Sequence, residues 1–466
     1  MKRLHFLGYA VFTALTVMFF LNHFNKPLPS VRDSKTLIVV TPNGPNTYYI
    51  KDAEEYAGFE YDLVNLFVKE LGPEYSVKFV MTDHVADVIP ELLDNKGHIA
   101  AANLSITSER QKKVLFGTPY QIAQQRLVFH KDNLNPPKAI NELTGKRIVV
   151  PADTSYAQRL QKLSKTIANI NWHEDKKANT EELLEQVNIG TLDYTIADSH
   201  LVSILQNYYP NLEQGISTGD PEKIAWAFPK NVDPWLYEKS VKFFSKISQD
   251  GTLFHLVDRY YGHAKRLDPL DVTKFLSMTR STLQKFAPLF KDAQENTDLD
   301  WRLLAAVSYQ ESHWDQYNTS PTNVRGLMML TEETADHLGV TDRLDAKQSI
   351  MGGARYISQL KKRVPESVPE PDRTWMALAA YNIGYSHVED ARVLAEKLNK
   401  NPNRWADVKT TLPLLNKPEY YANAKFGYAS GGAPVIFVES VRTYYDILQK
   451  YAAPHTSIFP SFSLSK

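Results

Sequence analysis

The chain has 466 residues, 53 Lys+Arg against 53 Asp+Glu, and 43% hydrophobic residues. Balanced charge gives no electrostatic reason for a nucleic-acid partner, and at about 100–200 residues per folding unit the length implies two to four units. The absence of cysteine excludes disulfides, thiolate metal sites, a cysteine nucleophile and a lipid-modified N-terminal cysteine.

Lys2 and Arg3 precede an uncharged run from Phe6 to Leu21, and Asn22 to Ser30 turn polar and proline-bearing. This is the layout of a bacterial export signal. The run falls short of the roughly 20 apolar residues of a spanning helix, so residues 1–30 are expected to be a cleaved signal peptide or a retained membrane anchor. A buried N-terminal helix is the structural alternative. Thr36 to Thr41 reads as a buried strand ended by Pro42-Asn43-Gly44-Pro45. Gly58 to Phe67 opens a helix with Leu63, Leu66 and Phe67 at helical spacing, closed by Leu71-Gly72. A strand at Val77–Val80, a helix at Val88–Leu93 and strands at Ile99–Leu104 and Arg147–Val150 continue the alternation, which predicts an α/β unit. From about Pro269 the apolar residues keep helical spacing through Leu283–Phe290, Trp301–Tyr309, Ile350–Leu360, Trp375–Tyr381 and Phe437–Leu448, and no strand is predicted. The expected division is therefore an α/β unit over 31–268 and an all-α unit over 269–466, with the junction between Tyr261-Gly262-His263 and about Lys274. The Ser/Pro-rich tail from Pro454 is expected to be loose.

In the first half, Gly58-Phe59-Glu60-Tyr61-Asp62-Leu63, Ala100 to Arg110, Phe116-Gly117-Thr118-Pro119-Tyr120, Gly145 to Val150 and Thr154-Ser155-Tyr156 occur in order. Together they resemble the periplasmic amino-acid-binding proteins. The resemblance implies a two-lobed α/β module that closes on a small amino-acid-like or muropeptide ligand. Arg110 falls where that family holds a carboxylate, which a planar guanidinium does through two hydrogen bonds. Thr154 and Ser155 fall where donors complete the clamp, and Asp198 where an acid receives an amine. Asp153 departs from the family's glycine and is expected to bring negative charge beside the clamp. The structural alternatives are a surface pair of Arg110 with Glu109 or Asp62, and a helix cap by Asp198.

In the second half one carboxylate stands out. Asp300 is a candidate N-cap. Leu304, Val307 and Glu311 follow at i, i+3 and i+7, so Glu311 extends a core-facing stripe. Desolvation there raises a carboxyl pKa, and the helix C-terminus acts in the same direction. A carboxyl kept protonated near neutrality is what a general acid needs. The alternative is an exposed Glu at a fraying helix end.

The surrounding motifs, Glu311-Ser312-x-Trp314, Ser320-Pro321, Gly326-Leu327-Met328, Thr331-x-x-Thr334-Ala335, Gly352-Gly353-x-x-Tyr356 and Ala379-Ala380-Tyr381-Asn382-x-Gly384, resemble lytic transglycosylases with the goose-lysozyme-like fold. The combination of both modules is similar to the membrane-bound members of that family. The resemblance implies non-hydrolytic cleavage of the MurNAc–GlcNAc β-1,4 bond of peptidoglycan. Glu311 would act as acid and then base, and a 1,6-anhydro-muramoyl end would form. Ser320 matches a sugar-contacting position, and Tyr381 and Asn382 match residues lining the acid's pocket. For Tyr381 a core role stays open. Met329 stands where many relatives carry Gln, and Phe437 where many carry Tyr. Trp314 and Trp375 are either sugar-stacking or core, and Asp315 either faces solvent or caps the next turn. No metal motif and no cofactor is expected. The implied location is the periplasmic side of a membrane, on the inner face of the outer membrane or tethered to the inner one. A non-catalytic peptidoglycan-binding receptor and a hydrolytic muramidase are the alternative functions.

Overall fold

The computed structural model describes residues 28–455 apart from 45, 53–54, 264–266, 268 and 321–322, so the export segment and most of the tail expected to be loose lie outside it. Among the described residues no helix is long and apolar enough to cross a membrane. The chain divides into two compact units. One comprises the residues up to Ile50, Glu54–Val202 and Asn211–Leu256; the other holds Val257 onward with Lys51–Ala53 and Ser203–Pro210.

The first unit contains two five-stranded sheets. In one, Thr36–Pro42 pairs in parallel with Ser76–Thr82 and with Ile99–Ala100, and Ala227–Phe228 joins antiparallel to Ile99–Ala100 and to Leu115–Phe116. Leu37, Val39 and Val40 have no exposed surface, as expected for a β-branched strand covered on both faces. The helix Phe59–Leu71 starts behind Gly58 at φ 138°, where a Cβ would stand 2.2 Å from the Thr47 carbonyl oxygen. The helix buries Leu63 and Phe67, with Leu66 only half-buried and Val64 and Val68 in its place. The second sheet runs Asn171–Asp175, Arg147–Pro151, Tyr194–Asp198, Gln125–His130, Leu212–Ser217. A two-stranded ribbon, Gln121–Ala123 against Glu222–Ile224, carries the chain between the sheets and makes the unit two-lobed.

The strand expected over Ile99–Leu104 is shorter. Only Ile99–Ala100 pairs, because Asn103 takes φ 50° and turns its N–H onto Glu60 Oε1 at 2.8 Å. Glu60 is 1% exposed. It also accepts from Trp226 Nε1 at 2.9 Å and from the Tyr120 hydroxyl, so three donors from distant segments meet on one carboxylate. Burial raises its pKa against the lowering effect of those three bonds.

From Val257 onward the second unit is helical. Its strand-like features there, among the described residues, are isolated bridges, Thr319 with Arg325 and Arg325 with Leu330. The acid helix, Trp301–Ser312, lies at the centre and buries most of its length. It packs on Thr282–Thr297 and on the terminal helix Gly432–Tyr451. Ala346–Arg363 and Asp372–Ile383 complete the core around it. An ionic cluster sits inside this apolar packing. Glu439, with no exposed surface, accepts from Arg442 Nη1 at 2.9 Å, Lys409 Nζ at 3.2 Å and Trp405 Nε1 at 2.6 Å.

Candidate active site

The acid helix starts where Asp300 Oδ1 accepts the Arg302 N–H at 2.8 Å. Leu304 and Val307 are fully buried, and Glu311 follows on the same stripe as the penultimate helical residue, partly open to solvent. His313 and Trp314 then take left-handed φ values of 53° and 58° and end the helix. The Trp314 ring is 2% exposed, and its Nε1 donates to the Ala305 carbonyl at 2.9 Å. Trp314 is therefore core. Trp375 is half-buried against the core with the Arg442 guanidinium 5.5 Å above its ring.

Burial lifts the Glu311 carboxyl from 4.5 to about 8. Among the described residues no cation lowers it, and its position at the helix C-terminus acts in the same direction as burial. Tyr381 lies close enough for a Glu311 charge to raise its phenol further, on top of the larger effect of burial. The Tyr381 hydroxyl donates to the Met328 carbonyl at 2.6 Å. Its ring sits between Tyr356, at 5.5 Å, and Phe437, which stacks at 6.5 Å and 14°. The Tyr381 ring thus packs among aromatic side chains while its hydroxyl fixes the neighbouring loop.

That loop is Gly326-Leu327-Met328. Ser308 Oγ and Ser312 Oγ both donate to the Leu327 carbonyl, at 3.0 and 2.9 Å, and Ser349 Oγ accepts from Met328 N at 3.1 Å. Gly326 has φ 82°, and a Cβ there would stand 1.9 Å from the Arg343 carbonyl oxygen. Ser308 is a positioning residue that the motifs did not single out. The available signal was a serine four residues before Ser312, on the buried face of an apolar helix. Gly353 admits the loop from the other side, because a Cβ there would lie 2.7 Å from Met328 Cβ. Gly353→Ala is accordingly expected to destabilise the second unit by about 1–3 kcal/mol through overpacking, read by urea unfolding, and to lower cleavage by displacing Met328 from Tyr381.

Ser320 Oγ accepts from Val324 N at 3.1 Å, ahead of Gly326 in the chain. Asn382 is exposed one residue before the end of Asp372–Ile383, beside Tyr381 in the chain. Asp315 is exposed and caps the following turn by accepting from Tyr317 N at 2.9 Å. Met329 has φ 45°.

The first unit holds a cleft of about 110 Å³ that brings Arg110, Thr154, Ser155 and Asp198 together with Asn103 and Tyr156. Arg110 is 5% exposed and donates to the Ser105 carbonyl at 3.1 Å. Glu109 pairs with Lys112 instead, at 2.7 Å. Burial lowers the Arg110 pKa, opposed by Glu222, Tyr156 and Asp198. Asp198 is 4% exposed, and its Oδ1 has no hydrogen-bond partner among the described residues. Burial, followed by repulsion from Glu222, lifts its carboxyl to about 7 against the Tyr156 hydrogen bond and Arg110. The Thr154 hydroxyl donates to the Pro151 carbonyl at 2.7 Å and accepts from Ala157 N at 3.4 Å as the cap of Ser155–Leu163. Ser155 Oγ accepts from Gln125 Nε2 at 3.1 Å. The charge expected from Asp153 lies elsewhere: Asp153 is exposed and does not line the cleft. Its backbone is left-handed, φ 56°, a conformation that Asp tolerates better than most residues.

The profile of bacterial extracellular solute-binding proteins, family 3, matches residues 37–263, and that of the transglycosylase SLT domain matches residues 288–403. The membrane-bound lytic murein transglycosylase F of Methylobacillus flagellatus is 59% identical over 440 residues, covering 94% of this chain and 93% of the relative. The chain belongs to this family. Transglycosylase F of Nitrosospira multiformis is 45% identical, with 91% of this chain and 88% of the relative covered. That of Saccharophagus degradans is 42% identical, with 90% and 83% covered. Among solved structures, an ancestral amino acid-binding protein described as a precursor of cyclohexadienyl dehydratase shares 26% identity at a TM-score of 0.44, covering 50% of this chain and 97% of its own. In this transglycosylase F family member, the solute-binding match contains the Arg110 cleft, and the SLT match contains Glu311, the Gly-Leu-Met loop and Tyr381.

Proposed function

We propose that Glu311 is the single catalytic acid and base of a peptidoglycan lytic transglycosylase built from a binding module over 31–268 and a catalytic domain over 269–466. The observation that carries this is a partly open carboxyl raised to about 8 by burial alone. It is protonated at neutral pH and so can donate to the leaving oxygen of the MurNAc–GlcNAc β-1,4 bond. The substrate's N-acetyl group stabilises the developing cation. The resulting carboxylate then takes the proton of the C6 hydroxyl as that oxygen closes on C1, leaving a 1,6-anhydro end and consuming no water. One carboxyl is enough for this cycle, unlike the paired acids of most glycosidases. Asp315, exposed and engaged in a turn, offers no second one. Ser320 and Asn382 serve as sugar contacts, and Tyr381 sets the wall of the acid's pocket. Digestion of purified peptidoglycan followed by mass analysis tests the reading. Anhydro fragments are expected; hydrated fragments would make the chain a muramidase, and no fragments a receptor.

The Arg110 cleft takes the carboxylate of its ligand on Arg110 and a cationic group on Asp198, with Thr154 and Ser155 closing the clamp. Its volume of about 110 Å³ lies below the roughly 300–1,000 Å³ of sites for drug-sized molecules. That supports an amino-acid-sized ligand over a muropeptide. Ligand binding there modulates cleavage through different ligand affinity in two states of the chain. The protein works on the periplasmic side of a membrane, on the inner face of the outer membrane.

A further inference from the structure

The second unit holds another cavity, of about 890 Å³, between the helix Tyr385–Lys397 and the segment Glu419–Phe426. Neither Glu311 nor Tyr381 lines it. Its rim carries Arg363, Lys397 and Lys425, all exposed, and among the described residues no carboxylate forms an ion pair with any of them. Two of the three cations are held in place by aromatic rings. The Arg363 guanidinium lies 4.2 Å from the centre of the Tyr385 ring, whose hydroxyl donates to the Arg363 carbonyl at 2.8 Å. Lys425 Nζ stands 5.3 Å from the Phe426 ring. The backbone under that pair is fixed from below. Asp390, 6% exposed, accepts the N–H groups of Lys425 and Phe426 at 3.1 and 2.9 Å. Glu389, a second lining acid, pairs with Arg392 at 2.8 Å. Glu419 is an exposed acid on the opposite wall.

Three cations with no ion-pair partner among the described residues stand beside the carboxylates of Glu419 and Asp390 and the rings of Tyr385 and Phe426, a mixed lining that suits a short peptide bearing both carboxylates and an ammonium group. The substrate carries such a group: muramoyl units of peptidoglycan bear stem peptides rich in free carboxylates, with a diamino acid among them. The cavity also shares its supports with the acid's pocket. The helix Ala346–Arg363 places Tyr356 beside Tyr381 and then Arg363 on the rim, about 10 Å further along its axis at the α-helical rise. Tyr385 follows Tyr381 after the break at Gly384.

We propose that this cavity is a stem-peptide site, which holds the carboxylate-rich substituent of the glycan strand being cleaved at Glu311. It rests on the transglycosylase reading above. The test compares Lys397→Glu/Lys425→Glu with the parent on two substrates: peptide-bearing sacculi, and the same glycan after an amidase has removed its peptides. kcat/KM is expected to fall about tenfold on the peptide-bearing substrate, because two attractive contacts become repulsive, and to stay unchanged on the stripped glycan. The deficit should deepen at low ionic strength. An equal fall on both substrates, or no fall on either, overturns the site while leaving cleavage established. If the parent cleaves neither substrate, the transglycosylase reading fails and takes the site with it.

Discussion

Glu311→Gln is expected to lower turnover of purified murein by about 10³-fold or more, since it removes the one proton donor and acceptor of the proposed cycle. Binding to sacculi should persist, because the amide keeps the carboxyl's shape. Retained turnover in this variant would remove Glu311 from the mechanism. The parent's pH profile carries the same information. The acid must be protonated, so kcat/KM should decline as pH rises through about 8, by about tenfold per unit well above it. Stability moves with the same proton. The unfolded carboxyl ionises near 4.5 and the folded one at about 8. Between these values the folded state holds a proton that the unfolded state has lost, so stability decreases as pH rises across that window. Glu311→Gln escapes this decrease. At pH 8 and above it should exceed the parent by roughly 2–4 kcal/mol in urea unfolding, the usual trade between a strained catalytic group and stability.

Glu439→Ala is expected to be the most damaging change to folding away from Glu311, at about 3 kcal/mol or more. Burial by itself would raise the Glu439 pKa, but Arg442 and Lys409 outweigh it and hold the pKa below 4.5. Removing the carboxylate leaves Trp405 Nε1 without its acceptor and Arg442 Nη1 with only the longer ion pair to Asp258 at 3.6 Å. Asp258, in the same unit and 2.5 Å from Lys409, keeps that lysine paired and limits the cost. A group with a depressed pKa contributes its full stability above the unfolded value and loses it as pH falls. The parent should therefore weaken below about pH 4.5 in a way that Glu439→Ala does not. Thermal unfolding followed by near-ultraviolet circular dichroism across that range checks both. A loss under 1 kcal/mol, or an unchanged acid limb, would mean that the cluster is electrostatically neutral to folding.

Much of this molecule was readable from local pattern. The stripe Leu304, Val307, Glu311 and the cap Asp300 lie within one helix, where spacing alone decides which side chains share a face. The strand at Thr36–Pro42 and the helix behind Gly58 were legible for the same reason. Ile99–Leu104 was over-extended because an apolar run does not reveal a left-handed residue. Asn103 turns the chain only because Glu60, forty-three residues earlier, supplies an acceptor for its N–H. The helix Tyr385–Lys397 went unread because its mean hydropathy is low and its buried residues, Asp390 and Arg392 among them, are partly polar. The roles of Ser308, Ser349 and Gly353 around Met328 were invisible because they arise from three segments meeting on one loop.

Residue order along the chain thus settled the two-module architecture, the family and the carboxyl to watch, because amphipathic spacing and motif order are local properties of a polymer. Only the folded molecule decided that burial raises the Glu311 carboxyl with no cation among the described residues to oppose it, that Asp198 is crowded by Glu222, and that Arg363, Lys397 and Lys425 share one rim. Proton affinity and charge pairing depend on distance and desolvation through space, and those are set by segments far apart in the chain.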